Sequence, residues 1–328
     1  MKAVVTGGAG FIGSHMVDLL LARDFQVEAV DNLITGRLEN LQHHAGNKRF
    51  SFHQLDMCEL EPDSSIFQGA DYVFHFGGIG DIVPSIDRPV EYMRANVHGT
   101  VAVLEAARHA GVRKLVYAAS SSCYGSAPEL PTTESAAIKP EYPYALSKYL
   151  GECSVLHWAH VYRLPVNSIR IFNAYGPRTR TSGTYGAVFG VFLAQKLKGV
   201  PLTIVGDGTQ SRDFVYATDV VDAFFRAAET SVSGEIFNLG AGNPQPVNRL
   251  AELIGGPTVH IPKRPGEPDC TWADITKITR VLGWQPKVQF EDGVAIMLRN
   301  INYWAAAPVW TPESIEAATK RWFEFVGR

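Results

Sequence analysis

Short apolar runs alternate with longer amphipathic segments through the first half of the chain. The apolar runs predict strands at residues 2–6, 26–31, 50–56, 70–76, 114–120 and 166–173. Between several of them, helical periodicity predicts helices at 12–23, 90–110 and 144–163. Apolar strands separated by helices of this length indicate βαβ units. The predicted fold class is therefore α/β, with a doubly wound parallel sheet covered by helices on both faces.

The pattern changes after residue 173. Residues 174–212 and 241–272 are rich in Gly, Pro, Thr and Arg and contain only short apolar pieces such as PLTIVGDG. Between these two stretches, ATDVVDAFFRAAET and GEIFNLG form a further helix–strand unit, which we expect to rejoin the sheet. We therefore predict a sheet domain of residues 1–173 plus 213–240, and a smaller α/β substrate-binding domain of residues 174–212 plus 241–310.

The last residues, 311–328, predict a separate C-terminal helix. Thr311 is a suitable N-cap and Pro312 suits the first helical position. The residues expected on one apolar stripe are Ile315, Ala318, Trp322 and Phe325. We expect this helix to pack on its own subunit, and a helix that faces a partner is the alternative.

Composition narrows the possible function. The chain has 328 residues, a formal net charge of −3, 46% hydrophobic and 19% charged residues. This near-neutral charge argues against nucleic acid as a partner. No apolar run reaches the ~20 residues that cross a bilayer, and the N-terminal run predicts a first strand, not a signal peptide. The four cysteines form no C-x-x-C pair, so we expect free thiols, no metal site and a cytoplasmic location.

The segment TGGAGFIGSH places Gly7, Gly10 and Gly13 between the first strand and the first helix. Glycines there permit a tight turn and let backbone N–H groups approach a pyrophosphate at the helix N-terminus. Asp31 ends the second strand, eighteen residues after Gly13. An acidic side chain at that position accepts hydrogen bonds from a ribose diol and repels a 2′-phosphate. The sequence therefore predicts a Rossmann domain that binds NAD in preference to NADP.

The segment YPYALSK places Tyr144 and Lys148 four residues apart, on one face of a helix. By itself this spacing also fits a surface tyrosine packed on a lysine stem. Nearby, the strand at 114–120 runs into Ser120, Ser121 and Ser122, at the sheet edge where ligands bind. Serines at that place can also satisfy the backbone groups of a turn. Beside a nicotinamide, Lys148 would lower the pKa of Tyr144 from ~10, so that the phenolate could take a proton from a sugar or alcohol hydroxyl. A serine hydroxyl would hold the developing carbonyl oxygen.

Across roughly residues 1–300 the chain resembles the extended short-chain dehydrogenase/reductase family. The motifs that carry the resemblance are TGGAGFIG, VDNL, HFGG, ANVHGT, SSSCYG, YPYALSK, RIFNAYGP, SRDFVY and RPGEPDCTWAD. Within the family it is most similar to the nucleotide-sugar 4-epimerases. The resemblance implies an NAD cofactor, a nucleotide-sugar substrate, a homodimer and a catalytic set of Ser120, Tyr144 and Lys148. Apolar residues on more than one face of helices 94–110 and 144–163 fit such a dimer.

The resemblance also implies individual binding residues. Those expected at the cofactor are Gly7, Gly10, Phe11, Ile12, Gly13, Asp31, Asn32, Asp56, Met57, Phe76, Gly77, Gly78, Asn96, Tyr144 and Lys148. Those expected at the substrate are Ser120, Ser122, Asn173, Val188, Arg212, Arg264 and Thr271. The two arginines would grip the diphosphate, which accepts bidentate bonds. A small residue at 271 would leave room for an acetamido group.

Departures from related enzymes help to choose the reaction. Sugar 4,6-dehydratases of the family carry Asp-Glu where this chain has Ser121 and Ser122, and the decarboxylases carry Glu at the second of these positions. The sequence therefore favours an NAD-dependent 4-epimerase that works through a transient 4-keto sugar. The alternatives are a C4 dehydrogenase that releases keto sugar and NADH, and an NAD(H)-binding sensor without turnover.

Overall fold

The structure is a computed structural model that describes residues 1–179 and 187–326. Its strands are β1 (Lys2–Thr6), β2 (Gln26–Asp31), β3 (Phe50–Gln54), β4 (Tyr72–His75), β5 (Lys114–Ser120), β6 (Val166–Ile171), β7 (Asn173–Tyr175), β8 (Leu202–Val205), β9 (Ser211–Arg212), β10 (Phe214–Tyr216), β11 (Glu235–Leu239), β12 (Gln245–Pro246) and β13 (Thr258–Ile261). Its α-helices are α1 (Phe11–Ala22), α2 (Pro89–Met93), α3 (Gly99–Ala110), α4 (Pro143–Tyr162), α5 (Val188–Leu197), α6 (Ala217–Glu229), α7 (Val247–Ile254), α8 (Thr276–Leu282), α9 (Phe290–Arg299) and α10 (Pro312–Phe325). Among these described helices, none combines the length and the apolar character that crossing a membrane requires.

Within the described residues, seven strands form one sheet in the order β11–β6–β5–β4–β1–β2–β3. Every pairing in this sheet is parallel. Neighbouring residues of a strand face opposite sides of the sheet, so Val4 and Val5 of β1 enter different hydrophobic clusters. Val5 packs in the cluster that contains Leu20 of α1, and Val4 in the one that contains Val155 of α4. The predicted doubly wound α/β sheet is confirmed.

The unit formed by α6 and β11 returns to this sheet as expected, because β11 pairs in parallel with β6. The predicted strand at 166–173 ends earlier, at Ile171, and Asn173 begins β7, which pairs with β10. The predicted helix at 90–110 is helical throughout, although a π-helix at Arg94–His98 separates α2 from α3. Within that π-helix, Asn96 turns inward and is fully buried.

A further hydrophobic cluster lies beside the sheet and is rich in aromatic rings. Tyr175 of β7 stacks on Phe189 of α5 with 4.6 Å between ring centres, and Phe214 of β10 stacks on Phe290 of α9 at 5.3 Å. Offset and edge contacts of this kind bury large apolar areas and hold their elements in a defined arrangement. The cluster thus fixes β7, β10 and α5 next to the carboxyl ends of the main strands.

The C-terminal helix α10 begins with a capping box between Thr311 and Ser314. Its buried residues are Ile315, Thr319, Trp322 and the following Val326. The predicted apolar stripe was therefore wrong at Ala318 and Phe325, both of which are exposed. The buried face follows a spacing of four, three and four residues, which keeps successive side chains on one side of the helix.

Candidate active site

A cavity of about 610 Å³ opens at the carboxyl ends of the main strands and extends to the aromatic cluster beside the sheet. Ligands of open α/β sheets bind at this edge. The sequence-predicted residues that line it are Gly7, Gly10, Phe11, Ile12, Gly13, Asp31, Phe76, Gly78, Ser120, Ser122, Tyr144, Lys148, Asn173, Val188, Arg212, Arg264 and Thr271. The fold therefore brings most of the expected cofactor, catalytic and substrate residues into one cavity.

The glycine-rich turn leaves no room for side chains at two positions. Gly7 has φ of +68°, and a Cβ there would lie 2.8 Å from the backbone nitrogen of Gly77. A Cβ on Gly13 would lie 2.1 Å from the carbonyl oxygen of Gly7, so the start of α1 can approach the turn closely. Within the described chain, no side chain caps α1 at Gly10 and its first turn carries no acidic residue. This helix N-terminus fits a pyrophosphate.

Asp31 lies at the end of β2 and is only 8% exposed. Its two carboxylate oxygens accept hydrogen bonds from the backbone N–H groups of Ala9 (3.0 Å) and Leu33 (2.8 Å). Burial raises the pKa of Asp31, and these hydrogen bonds oppose the rise. The carboxylate is thus held rigidly in the cavity wall, where it can accept hydrogen bonds from a ribose diol. Together with the glycine turn, it fits NAD.

Five expected cofactor residues lie outside the cavity lining: Asn32, Asp56, Met57, Gly77 and Asn96. Asn96 accepts a hydrogen bond from the backbone N–H of Ile79 (2.8 Å) and donates to the hydroxyl of Ser147 (2.9 Å). It therefore shapes the loop after β4 and ties that loop to α4. Its expected place near the nicotinamide stays a prediction.

Met57 and Asp56 lie next to this edge of the sheet, outside the cavity lining. Met57 packs so closely under Gly77 that a Cβ on that glycine would lie 2.5 Å from the methionine sulfur. Asp56 accepts a hydrogen bond from Arg94 (2.7 Å) and one from the backbone N–H of Cys58 (2.9 Å). Asn32 accepts a hydrogen bond from the backbone of a neighbouring turn residue. Direct contact of these residues with adenine or ribose stays a prediction.

Tyr144 and Lys148 face the cavity from the first turns of α4, which begins at Pro143. The hydroxyl of Ser120, at the end of β5, lies near Tyr144 and acts to lower the pKa of its phenol. Burial outweighs this influence and raises the pKa of Tyr144. Burial also lowers the pKa of Lys148 to about 7, although the nearby Glu152 opposes that shift. Burial thus dominates the pKa of Tyr144 in this structure, and the expected lowering beside a charged nicotinamide stays a prediction.

A buried network behind Lys148 fixes the ends of three strands. Arg170 of β6 donates to both carboxylate oxygens of Glu152, at 3.1 Å each, and to the hydroxyl of Tyr124, at 2.7 Å. The Tyr124 hydroxyl donates in turn to the side-chain oxygen of Asn238 on β11 (2.7 Å). Sequence reasoning missed this network. The available signal was a glutamate one helical turn after Lys148, on the same helix face.

Arg212 and Arg264 approach each other at the other end of the cavity. Glu267 lies between them, 2.7 Å from Arg264 and 4.0 Å from Arg212. Burial lowers the pKa of Arg212, and Glu267 opposes this shift. Two largely buried guanidinium groups in a cavity wall can bind a diphosphate. Glu267 was not anticipated, although its spacing of three residues from Arg264 was visible in the sequence.

Thr271 is fixed beside these arginines by two hydrogen bonds. Its hydroxyl donates to the side-chain oxygen of Asn173 (2.8 Å) and accepts from the backbone N–H of Asp213 (3.2 Å). The contact with Asn173 joins the two expected substrate residues directly. The size of the side chain at 271 thus helps to set the space next to Asn173.

The cavity wall also contains residues that the sequence did not suggest. They include Thr35, Arg37, Asn40, Tyr142, Arg178, Thr179, Glu267, Trp310 and Trp322. Tyr142 directly precedes the proline that begins α4, and Trp322 comes from the buried face of α10. The aromatic density of the last 20 residues was a usable signal for the second of these. The sequence could not show which way that helix faces.

A polar cluster lies next to the cavity, around Asp18 of α1. One carboxylate oxygen of Asp18 accepts hydrogen bonds from His43 and His44, both at 2.7 Å, and the other accepts from Arg178 at 2.7 Å. Burial would raise the pKa of Asp18, but these cationic and hydrogen-bonding neighbours lower it. The three ligand atoms of the Asp–His–His set lie within 4.8 Å of one another, as a metal would require. The Arg178 guanidinium on the same carboxylate opposes a cation there.

Comparison with known proteins places this geometry in context. Residues 3–240 match the profile of the NAD dependent epimerase/dehydratase family. The UDP-glucose 4-epimerase of Mycolicibacterium smegmatis is 38% identical over 304 residues, which cover 90% of this chain and 96% of that protein. The structure of UDP-glucose 4-epimerase from Thermotoga maritima with UDP-glucose has a TM-score of 0.85 and 34% identity, and the match covers 93% of this chain and 99% of that one.

A second similar structure contains the cofactor. The UDP-glucuronic acid 4-epimerase of Bacillus cereus, in complex with UDP-glucuronic acid and NAD, has a TM-score of 0.86 and 31% identity, with coverage of 92% and 99%. The family match and these similarities all span the sheet and its glycine turn. The chain therefore belongs to the NAD dependent epimerase/dehydratase family, as an NAD-dependent enzyme of the extended short-chain dehydrogenase/reductase type.

Proposed function

We propose that the protein is an NAD-dependent 4-epimerase of a nucleotide-diphosphate sugar, either the UDP-glucose/UDP-galactose pair or the N-acetylated pair. One observation carries the proposal. Ser120, Tyr144 and Lys148 line a single cavity together with Arg212 and Arg264. The first group of residues can transfer a proton, and the two arginines can bind a diphosphate. Both groups in one cavity fit a nucleotide sugar that is oxidised and then reduced while it stays bound.

The residues of the chain divide the work as follows. Tyr144, as phenolate, takes the proton of the C4 hydroxyl, and Lys148 in its charged form stabilises that phenolate. Ser120 donates a hydrogen bond to the developing C4 carbonyl oxygen. When bound, NAD+ supplies the acceptor for the C4 hydride, which it later returns. Arg212 and Arg264 hold the diphosphate while the 4-keto sugar turns, so that its other face is reduced and C4 is inverted.

The residues next to Ser120 favour epimerisation over elimination. Ser121 and Ser122 begin a 3-10 helix directly after β5, and Ser122 donates its backbone N–H to the hydroxyl oxygen of Ser120 (3.2 Å). Loss of water from C6 needs a carboxylic acid and a base at these positions, and two serine hydroxyls do not replace them. The same argument weighs against a decarboxylase, which carries a glutamate where Ser122 stands.

Two other functions would use the same cavity. A C4 dehydrogenase would share the first half-reaction but release the keto sugar and NADH. An NAD(H)-binding sensor would keep the cofactor without turnover. The grouping of Ser120, Tyr144 and Lys148 in one cavity favours an enzyme over a sensor, because a sensor needs no positioned phenol.

The test is proton NMR of the purified protein with UDP-glucose, UDP-galactose and UDP-N-acetylglucosamine in separate samples, without added NAD. We expect conversion to a mixture of gluco and galacto forms for at least one pair. Accumulation of keto sugar and NADH when NAD+ is added would instead identify the dehydrogenase. Bound NAD(H) with unchanged spectra for every sugar would identify the sensor.

We also propose how the chain is organised around this function. Residues 1–173 plus 213–240 would form the NAD domain, residues 174–212 plus 241–310 the sugar-nucleotide domain, and residues 311–328 the C-terminal helix. The protein would act as a cytoplasmic homodimer through α3 and α4. Leu150 (37% exposed) and Val161 (48% exposed) on α4 support such an interface, whereas Leu104 and Val155 are fully buried in their own subunit. Light scattering of the purified protein tests the dimer.

A further inference from the structure

Tyr142 lies in the cavity wall beside the proposed catalytic phenol. Its ring is nearly parallel to that of Tyr144, with 9° between the ring planes and 6.5 Å between the centres. Burial raises the pKa of Tyr142, and the nearby Ser122 opposes this rise. Tyr142 also contacts Trp322, with 5.1 Å between ring centres. It therefore connects the catalytic end of the cavity to the C-terminal helix.

Trp322 in turn reaches the diphosphate end. Its indole N–H donates to the carbonyl oxygen of Pro265 (2.9 Å), the residue after Arg264. The side chain is 2% exposed and lines the same cavity as Tyr142. The row from Tyr144 through Tyr142 and Trp322 to Pro265 thus runs along the wall from the catalytic phenol to the arginine loop.

The helix that carries Trp322 is fixed at two places on the cavity rim. Arg321 forms an ion pair with Asp87 (3.0 Å), which follows the 3-10 helix Val83–Ile86. Val326 packs so closely on Gly266 that a Cβ on the glycine would lie 2.4 Å from a valine methyl. Contacts on both rims hold α10 across the cavity between them.

We propose that Tyr142, held in place by Trp322, is a specificity-determining residue that forms the wall along which the sugar ring lies and turns. C1 and C4 are on opposite sides of a hexopyranose ring. A sugar whose C4 meets Tyr144 and whose diphosphate meets Arg264 must therefore extend past Tyr142. The inference rests on the proposed function and adds the C-terminal helix to the substrate site.

The chemistry of the wall suits a sugar that has to turn. An aromatic face packs against the C–H groups of a sugar without directional bonds, so several orientations of the ring have similar energy. Hydrogen-bonding side chains in the same place would favour one orientation. Because Trp322 is enclosed, Tyr142 cannot retreat, and the wall limits the size of the substituents that pass it.

The test compares Trp322→Ala and Trp322→Phe with Phe323→Ala, a matched control whose side chain is 43% exposed on the same helix. Calorimetry gives the Kd of each NAD-loaded protein for UDP, UDP-glucose and UDP-N-acetylglucosamine. We expect unchanged affinity for UDP in all variants. In Trp322→Ala, the ratio of the two UDP-hexose affinities should change by ~10-fold, a change that corresponds to ~1.4 kcal/mol. Trp322→Phe should restore most of the ratio, and Phe323→Ala should match the wild type.

Tyr142→Ala and Tyr142→Phe provide the same comparison if Trp322→Ala does not fold, since the phenylalanine keeps the ring. A wild-type ratio in Trp322→Ala or in Tyr142→Ala would overturn the inference while leaving an active 4-epimerase in place. Equal losses for UDP and UDP-hexoses would also overturn it, since they would mean general support of the fold. A wild-type protein that binds no UDP-hexose would overturn the proposed function, and the inference with it.

Discussion

The ammonium nitrogen of Lys148 lies 4.5 Å from the centre of the buried Tyr117 ring. The Tyr117 hydroxyl donates to the backbone carbonyl of the same lysine (3.2 Å). A cation–π contact and the field of Glu152 favour the charged form, yet burial prevails and lowers the pKa of Lys148 to about 7. The lysine that the proposed mechanism requires as a cation is therefore costly to charge in this buried position.

The first prediction concerns stability in Lys148→Met. The unfolded chain keeps the lysine proton up to pH ~10.4, whereas the folded protein releases it near pH 7. The buried charge therefore destabilises the wild-type fold fully below about pH 7 and very little above pH ~10. In the cofactor-free protein, we compare the free energy of unfolding of the variant with that of the wild type. This difference should favour the variant by roughly 3 kcal/mol more at about pH 6.5 than at about pH 9.5. Denaturant titrations at both pH values measure this. An equal difference at the two pH values would show that Lys148 titrates normally.

The second prediction concerns the proposed base. Tyr144→Phe should lower kcat by ~10²–10⁴-fold, because the variant cannot accept the C4 hydroxyl proton. Cofactor content, measured from the absorbance of the purified protein, should stay at the wild-type level. Tyr149→Phe, on the same helix and one residue after Lys148, is the matched control and should keep its activity. Near-normal turnover in Tyr144→Phe would remove Tyr144 from the mechanism.

The third prediction concerns the arginines proposed to bind the diphosphate. Arg264→Met should raise the KM for a UDP-hexose by ~10–100-fold, because it removes a charge-assisted hydrogen-bond donor. NAD affinity should not change. Arg249→Met is the control, since Arg249 lies in the same half of the chain but forms ion pairs with Glu252 and Glu291 outside the cavity lining. Equal effects of the two substitutions would place the diphosphate elsewhere.

The fourth prediction concerns the choice of cofactor. Asp31→Asn should weaken NAD binding by ~10–100-fold, because it removes the negative charge that we expect to face the ribose. The ratio of NAD affinity to NADP affinity should fall as well. Fluorescence titration of the cofactor-free variant with each dinucleotide measures both affinities. An unchanged ratio of NAD to NADP affinity would show that another group sets the preference.

The fifth prediction concerns the N-acetylated sugars. Thr271→Tyr should abolish turnover of UDP-N-acetylglucosamine but leave turnover of UDP-glucose unchanged, because the tyrosine ring would fill the space beside Asn173. Thr271→Val keeps the volume but loses the hydrogen bond to Asn173, and it should still accept both sugars. Turnover rates of each variant with the two substrates, measured by NMR, test this prediction. Turnover of UDP-N-acetylglucosamine by Thr271→Tyr would mean that the acetamido group lies elsewhere.

Local features of this protein were predictable wherever one segment determines them. The strand–glycine–helix pattern at residues 2–22 and the four-residue spacing of Tyr144 and Lys148 depend on backbone geometry over a few residues, and the structure contains both elements. The alternation of strands and helices predicted the parallel sheet, since right-handed βαβ units leave few other arrangements. The strand that follows α6 also rejoined the sheet as expected.

Side-chain environments required the tertiary structure. The sequence could place Lys148 beside Tyr144 but could not show that burial dominates the pKa of both groups, because desolvation depends on everything packed around them. It could not place Asn96 in a π-helix either, since the partner in the loop after β4 is 17 residues away.

The C-terminal helix shows the same division most clearly. Its start at Thr311 and Pro312 follows from capping rules that act within one turn, and the sequence determined it. Its buried face depends on the surface that it meets, so the expected Ala318 and Phe325 are exposed, while Thr319 and Val326 are buried. Only the tertiary structure brought Trp322 to Tyr142, 180 residues earlier in the chain, because contacts at such separations arise from the packing of the whole fold.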